Sequence, residues 1–75
     1  MMTNVNVAFD RSLLRDARVR AKDSGVKLGR LTTYRCKALG ANIYYEVYED
    51  TRLVWDGAAA TAYEAKAKYI LSRLS

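Results

Sequence analysis

Residues 30–57 read RLTTYRCKALGANIYYEVYEDTRLVWDG, and this stretch determines the layout expected for the whole chain. Its side chains alternate in character over 30–38 and again over 43–49, which is typical of half-buried strands. The short turns at 40–42 and 49–51 favour antiparallel neighbours, and a third short strand follows the second turn. The stretch therefore predicts a three-stranded antiparallel meander.

The alternation also assigns side chains to the two faces of this sheet. On the first strand we expect Tyr34 and Cys36 to point into the core, with Cys36 packed as a small apolar residue. We expect Tyr45 of the second strand and Trp55 of the third to face the core as well. The residues expected on the opposite, open face are Arg35, Lys37, Tyr44 and Tyr48.

An amphipathic helix is expected before the strands, over 10–24. Asp10 is a favourable N-cap residue, and Gly25 stands where a helix commonly stops in a left-handed residue. The residues ahead of Asp10 show neither a cap nor a clear apolar period. We therefore expect residues 1–9 to form a loose N-terminal segment.

A second helix is expected over about 62–74, because Thr61 and Glu64 have the spacing of a capping box. Both helices have apolar stripes that need cover, and the simplest way to bury them is against the same side of the sheet. The predicted fold class is α+β, an α-β-β-β-α two-layer sandwich with two helices on one face of a three-stranded antiparallel sheet. Residues 10–75 form the single binding domain.

The composition excludes several kinds of function. The 75 residues contain no histidine and one cysteine, so neither an internal disulfide nor an ordinary structural zinc site can form. The cysteine has no histidine to activate it, and we expect no enzyme activity, cofactor or metal. No apolar run reaches the roughly 18 residues of a membrane span, and residues 1–9 do not resemble a secretory signal. These features predict a cytoplasmic protein with no membrane partner.

Positive charge is concentrated in the first half of the chain. The net charge is +5, and residues 1–40 hold nine basic and three acidic residues. Four of these cations follow spacings of 4, 3 and 4, which places them within about 60° of arc on the first helix. They are Arg11, Arg15, Arg18 and Lys22. Such a ridge favours an acidic or polyanionic partner, although a merely solvated helix face has the same pattern.

The expected open face of the sheet allows three interpretations. Tyrosine beside arginine on an exposed sheet is typical of a stacking platform for single-stranded nucleic acid. The same composition is typical of a protein-interface hot spot, and a homodimer could form through this face. The third interpretation is that the tyrosines only cover the sheet by packing across strands.

The element order and the entry into the second helix resemble the double-stranded-RNA-binding domain. That family carries a Gly-x-Gly-x-Ser-Lys-Lys-x-Ala-Lys stretch, and residues 57–66 here read GAAATAYEAK, with Thr61 in place of serine. Ala62 and Tyr63 stand where the family has paired lysines. The positions that match the family are Gly57, Ala65 and Lys66. The resemblance covers roughly residues 10–75 and implies the same layout and a contact from Lys66 to duplex RNA.

In size and character the chain is also similar to small phage and mobile-element proteins that inhibit host defence, including anti-CRISPR proteins. This analogy and the charge predict a small non-catalytic basic protein that inhibits or modulates a macromolecular, nucleic-acid-handling complex by occupying its surface. The expected partner is an acidic protein surface or a ribonucleoprotein. The alternative is a module that binds nucleic acid directly. The expected partner-binding residues are Arg11, Arg15, Arg18, Lys22, Arg35, Lys37, Tyr44 and Tyr48.

Overall fold

A computed structural model describes residues 2–75, and within them the side chains of 9–38 and 40–75. The predicted α-β-β-β-α order is confirmed. The elements are α1 (Met2–Asp23), β1 (Leu31–Leu39), β2 (Asn42–Glu49), β3 (Arg52–Ala59) and α2 (Ala62–Leu74).

The three strands form one antiparallel sheet in the order β1-β2-β3. Residues directly opposite each other in such a sheet lie on the same face, so the register assigns every side chain. Arg35 lies opposite Tyr45, and the register then shifts at Cys36 so that Lys37 lies opposite Tyr44. A second shift occurs where β2 passes Val54 of β3. These two bulges change the face on which the following residues lie.

The core lies between the covered face of the sheet and α2, which contacts all three strands. Helix α1 packs closely on α2, and small residues at this contact let the two helices approach. Val47 and Ile70 are the largest side chains that are fully buried. The buried apolar residues of the helices are Leu14, Ala17 and Ala21 of α1 and Ala65, Ala67, Tyr69 and Ile70 of α2.

Helix α1 begins earlier than its sequence pattern predicts. Residues 2–9 are helical and continue directly into the rest of α1, so the helix begins before the predicted start at residue 10, and Met1 lies outside the described part. Asp10 therefore lies inside the helix and does not cap it. Its buried carboxylate accepts a 2.7 Å hydrogen bond from the Thr61 hydroxyl. No glycine or proline interrupts residues 2–9, so the helix can extend through them.

The end of α1 agrees with the prediction within a residue. Gly25 has a φ of 75°, the left-handed conformation that glycine adopts without strain. The Gly25 N–H donates to the Lys22 carbonyl at 3.1 Å, and the Val26 N–H donates to the Ala21 carbonyl at 2.9 Å. This pair of bonds is a Schellman motif, and Val26 packs on the core immediately after it.

The face assignment predicted for β1 is wrong over most of the strand. Leu31 is buried, whereas Tyr34 is 60% exposed. Cys36 is also exposed, so it is not the core residue that alternation suggested. The Leu31 side chain has no polar atom, so it is buried without loss of a hydrogen bond. Because side chains alternate along a strand, burial of Leu31 places Tyr34, three residues later, on the open face. Tyr45 and Trp55 do pack with the core, as predicted.

Candidate functional site

The four cations predicted on α1 all have exposed side chains on one side of the helix. None of them forms an ion pair with a carboxylate in the described part of the chain. The ion pair found there joins Arg73 and Glu49, whose nitrogen and oxygen are 3.5 Å apart. The mutual repulsion of the α1 cations is therefore not relieved by a described acidic side chain. They are Arg11, Arg15, Arg18 and Lys22.

The packing of α1 on α2 brings a fifth cation to this ridge. Asp10 bonds to Thr61 near the start of α2, and further along both helices Arg18 lies close to Lys66. The two helices therefore run in the same direction. Partial burial and the neighbouring Arg18 charge lower the pKa of Lys66. We call this surface the cationic face, and its members are Arg11, Arg15, Arg18, Lys22 and Lys66.

A shallow apolar groove lies within the cationic face, between the two helices. It has a volume of about 200 Å³ and is lined by Leu14, Tyr63 and the stems of three ridge arginines. The guanidinium carbon of Arg11 lies 5.8 Å from the centroid of the Tyr63 ring, within the range of a cation–π contact. The face thus combines charge with an aromatic ring that remains 36% exposed.

The acidic residues nearest the start of α2 are occupied within the fold. The Thr61 hydroxyl donates to Asp10 and accepts a 3.2 Å hydrogen bond from the Glu64 N–H, which is the predicted cap. The Glu64 carboxylate accepts from the Ala60 N–H at 2.7 Å, one residue before the amide expected for the capping box. These bonds join α1 to the first turn of α2 and fix the ridge beside Lys66.

The open face of the sheet differs in charge from the face that the sequence predicts. Arg35 lies opposite the buried Tyr45, so it belongs to the covered side, and its predicted place on the open face is wrong. The alternation of side chains shows which residues share a face but not which face is covered. Burial of Leu31 places its own set, which includes Arg35, on the covered face. The bulge at Cys36 then returns Lys37 to the open face, opposite Tyr44.

Tyrosines and carboxylates dominate this open face. Tyr34 lies opposite Glu46, and Glu46 lies opposite Asp56 on β3. The Tyr48 hydroxyl donates to Glu46 at 3.2 Å. Partial burial and the Glu46 charge raise the pKa of Tyr48, and the neighbouring Asp56 carboxylate raises the pKa of Tyr44. Carboxylates among the rings make this face a poor platform for a phosphate backbone.

Glu49 is an important residue that sequence reasoning assigned only to a turn. Its carboxylate accepts from the Gly29 N–H at 2.6 Å and from the Tyr69 hydroxyl at 2.8 Å. Arg73 donates to the same hydroxyl at 2.9 Å. These bonds lower the pKa of Glu49. They connect three segments distant in sequence, so no local pattern could reveal them, and their role is to hold the fold.

Comparison of the chain with models of protein families, with curated proteins and with solved structures finds no match. The resemblance to the double-stranded-RNA-binding domain therefore stays a prediction, as does the analogy with anti-defence proteins. No helix in the described residues combines the length and apolar character needed to cross a bilayer.

Proposed function

We propose that this chain is a non-catalytic binding protein that docks its cationic face on a nucleic-acid-handling complex and inhibits or modulates that complex by covering its surface. The observation that supports this most directly is the row of exposed cations on one side of α1, which no described carboxylate neutralises. Cations held this close repel one another, and a polyanionic partner removes that repulsion.

The dimensions of the ridge fit an extended anionic surface. Residues 11–22 of a helix span about 16 Å, and one strand of duplex DNA carries one phosphate per about 3.4 Å of axis. A partner of this kind therefore presents about five charges along the ridge. An acidic protein surface or the exposed strand of a ribonucleoprotein has the required charge density.

Two further parts of the proposal follow from composition and role. The lack of histidine in the sequence leaves the single thiol without the usual general base, which supports a binding function without catalysis. Complexes that handle nucleic acid act inside the cell, so this role places the protein in the cytoplasm.

A second candidate function is direct binding to nucleic acid. It is favoured by the position of Lys66, the one lysine kept from the family's Lys-Lys-x-Ala-Lys stretch, which lies beside Arg18 of α1. Two parallel helices with cations facing the same way can contact successive phosphates of one backbone. In this case the logarithm of affinity falls with the logarithm of salt, with a slope near −0.9 per phosphate on duplex DNA and about −0.7 on single strands.

A matched pair of substitutions on α1 tests both candidates. Arg18→Glu changes the ridge, and Arg20→Glu makes the same change of charge on the opposite side of the same helix, about 160° away. We expect wild type and Arg20→Glu to retain a protein complex from a nuclease-treated lysate and to inhibit its purified activity, whereas Arg18→Glu does neither. Equal behaviour of the two variants would contradict docking through the cationic face.

A gel-shift experiment separates the two candidates. Single- and double-stranded RNA and DNA are mixed with protein at concentrations up to about 10⁻⁴ M in about 0.15 M salt, which covers the typical range of non-specific Kd values, 10⁻⁴–10⁻⁶ M. No shift with any of the four nucleic acids excludes the second candidate. A shift that Arg18→Glu abolishes and Arg20→Glu keeps, together with no captured protein, excludes the first.

A further inference from the structure

The open face of the sheet contains a wide pocket that the proposed function does not use. It has a volume of about 510 Å³ and lies beside the turn between β2 and β3. Its walls combine two aromatic rings with two carboxylates. We call it the tyrosine–carboxylate pocket, and its lining residues are Thr32, Tyr34, Glu46, Tyr48, Asp50 and Thr51.

The aromatic wall of this pocket lies outside the core, where Tyr34 is exposed and Tyr48 is half-buried. Tyr34 is 60% exposed, and its ring meets Tyr48 edge to face, with centroids 5.3 Å apart and planes at 87°. An edge-to-face pair leaves ring faces free, and the face of a tyrosine ring attracts cations. The core is complete without Tyr34, because Leu31 fills the buried position on this strand.

The electrostatic character of the pocket is opposite to that of the whole molecule. The chain has a net charge of +5, yet the two ionisable acids that line the pocket, Glu46 and Asp50, meet no cation among its lining residues. The hydroxyl of Tyr48 donates to Oε1 of Glu46 and so orients this carboxylate beside the rings. Phosphate groups are repelled here, and cationic groups are attracted.

We infer that the tyrosine–carboxylate pocket binds an arginine side chain presented by a protein partner. Guanidinium is planar, so it can stack on the ring of Tyr34 and at the same time donate two N–H groups to the Glu46 carboxylate. Lysine satisfies the charge but offers neither a flat surface nor a fork. This inference does not depend on the proposed function, because it concerns the opposite side of the molecule.

A second copy of this chain is the rival occupant, since the cationic face carries three arginines. Such a contact joins different faces of the two copies, so it is head-to-tail. Repeated contacts of this kind form an open filament unless the rotation between copies completes a ring. In an assembly of several copies, this contact also occupies the cationic face of every copy except one at the end. A partner that supplies its own arginine leaves both faces able to work at once, and this is the occupant we favour.

The experiment is an NMR titration of the isotopically labelled full chain with an end-capped tripeptide that has arginine at its centre. The controls are the same tripeptide with lysine and with citrulline, which keeps the shape of arginine and lacks its charge. We expect shift changes confined to residues 32–34 and 46–51. We expect affinity about threefold to tenfold higher for arginine than for lysine, and no saturable binding of citrulline.

Two substitutions within the pocket and two outside it complete the test. Tyr34→Leu and Glu46→Gln should each lower the affinity for the arginine peptide at least threefold, while circular dichroism and Tm stay close to wild type. Tyr63→Leu on the cationic face and Asp16→Asn on α1 should leave it unchanged. Arg18→Glu should also leave it unchanged, so failure here is distinguishable from failure of the proposed function.

Three results overturn the inference. The first is equal binding of the arginine and citrulline peptides, and the second is a shift pattern centred on the cationic face. The third is self-association of the wild-type chain that Tyr34→Leu and Arg18→Glu both abolish in sedimentation, since the occupant is then a second copy.

Discussion

The cationic face and the open face of the sheet are opposite in charge, and the first is easier to predict from the sequence than the second. The ridge on α1 depends on spacing within one helix, which 3.6 residues per turn fixes over any short stretch. The open face depends on which residues of three strands lie opposite one another, and one bulge changes that for every residue beyond it. Local periodicity therefore predicted the exposed row of cations on α1 and misjudged the charge of the open face.

Both faces rest on one small core, so the largest expected effect is a change that removes their common support. Ile70→Ala should lower the free energy of unfolding by about 2–5 kcal/mol, because the fully buried side chain leaves a cavity beneath α2. Chemical denaturation measures this loss. Val19→Ala on the exposed side of α1 is the control and should stay within about 0.5 kcal/mol. A small effect of Ile70→Ala would mean that the two faces do not share a core.

The next largest effect concerns the carboxylate that joins the sheet turn to the rest of the fold. Glu49→Gln should cost about 1.5–3 kcal/mol, since its bonds to Gly29 and Tyr69 involve a charged acceptor. The ion pair with Arg73 adds little, because the Arg73 side chain is 38% exposed. Glu46→Gln on the open face is the comparison, and we expect it to cost less.

The pH dependence of the stability difference between wild type and Glu49→Gln follows from the direction in which folding shifts the pKa of Glu49. The folded state lowers the pKa of Glu49 below its ordinary value of 4.5, so the ionised form favours folding. This contribution is fully present above the unfolded value and is lost as pH falls through the folded value. The difference in stability between wild type and Glu49→Gln should therefore shrink in acid. A difference that stays constant down to pH 2 would contradict the assignment.

A smaller effect is expected from the bond that fixes the ridge beside α2. Thr61→Ala removes the cap of α2 and leaves the buried Asp10 carboxylate without its donor, which should cost about 1–2 kcal/mol. Thr61→Ser keeps the hydroxyl and should stay near wild type in thermal unfolding. If alanine and serine behave alike, the hydroxyl is not what holds the helices together.

The smallest effect tests the crowding of cations directly. Arg18→Glu should change the free energy of unfolding by less than about 0.5 kcal/mol, because the Arg18 side chain is exposed. The same substitution should raise the pKa of Lys66, since it replaces a repelling charge with an attracting one. NMR titration of the Lys66 side chain measures this shift. An unchanged pKa of Lys66 would mean that Arg18 and Lys66 are not neighbours on the cationic face.

The parts of the fold that sequence predicted are those governed by short-range geometry. The α2 cap at Thr61, the stop at Gly25 and the strand order all follow from contacts within a few residues. Asp10 has the residue type of an N-cap, but its carboxylate instead meets a hydroxyl 51 positions away. The exposure of Cys36 likewise depends on the register with β2. Such outcomes are set by tertiary packing, which a single sequence does not display.

The bulge at Cys36 has a consequence for how this protein meets copies of itself. β1 is an outer strand, and its free edge carries backbone groups that another strand edge could adopt as partners. The irregularity interrupts the regular repeat of those groups, and it is flanked by the positive charges of Arg35 and Lys37. The β1 edges of two copies therefore repel each other, and their backbone donors and acceptors do not align for continuous pairing. We expect this to protect a tyrosine-rich sheet from growing into a continuous ribbon.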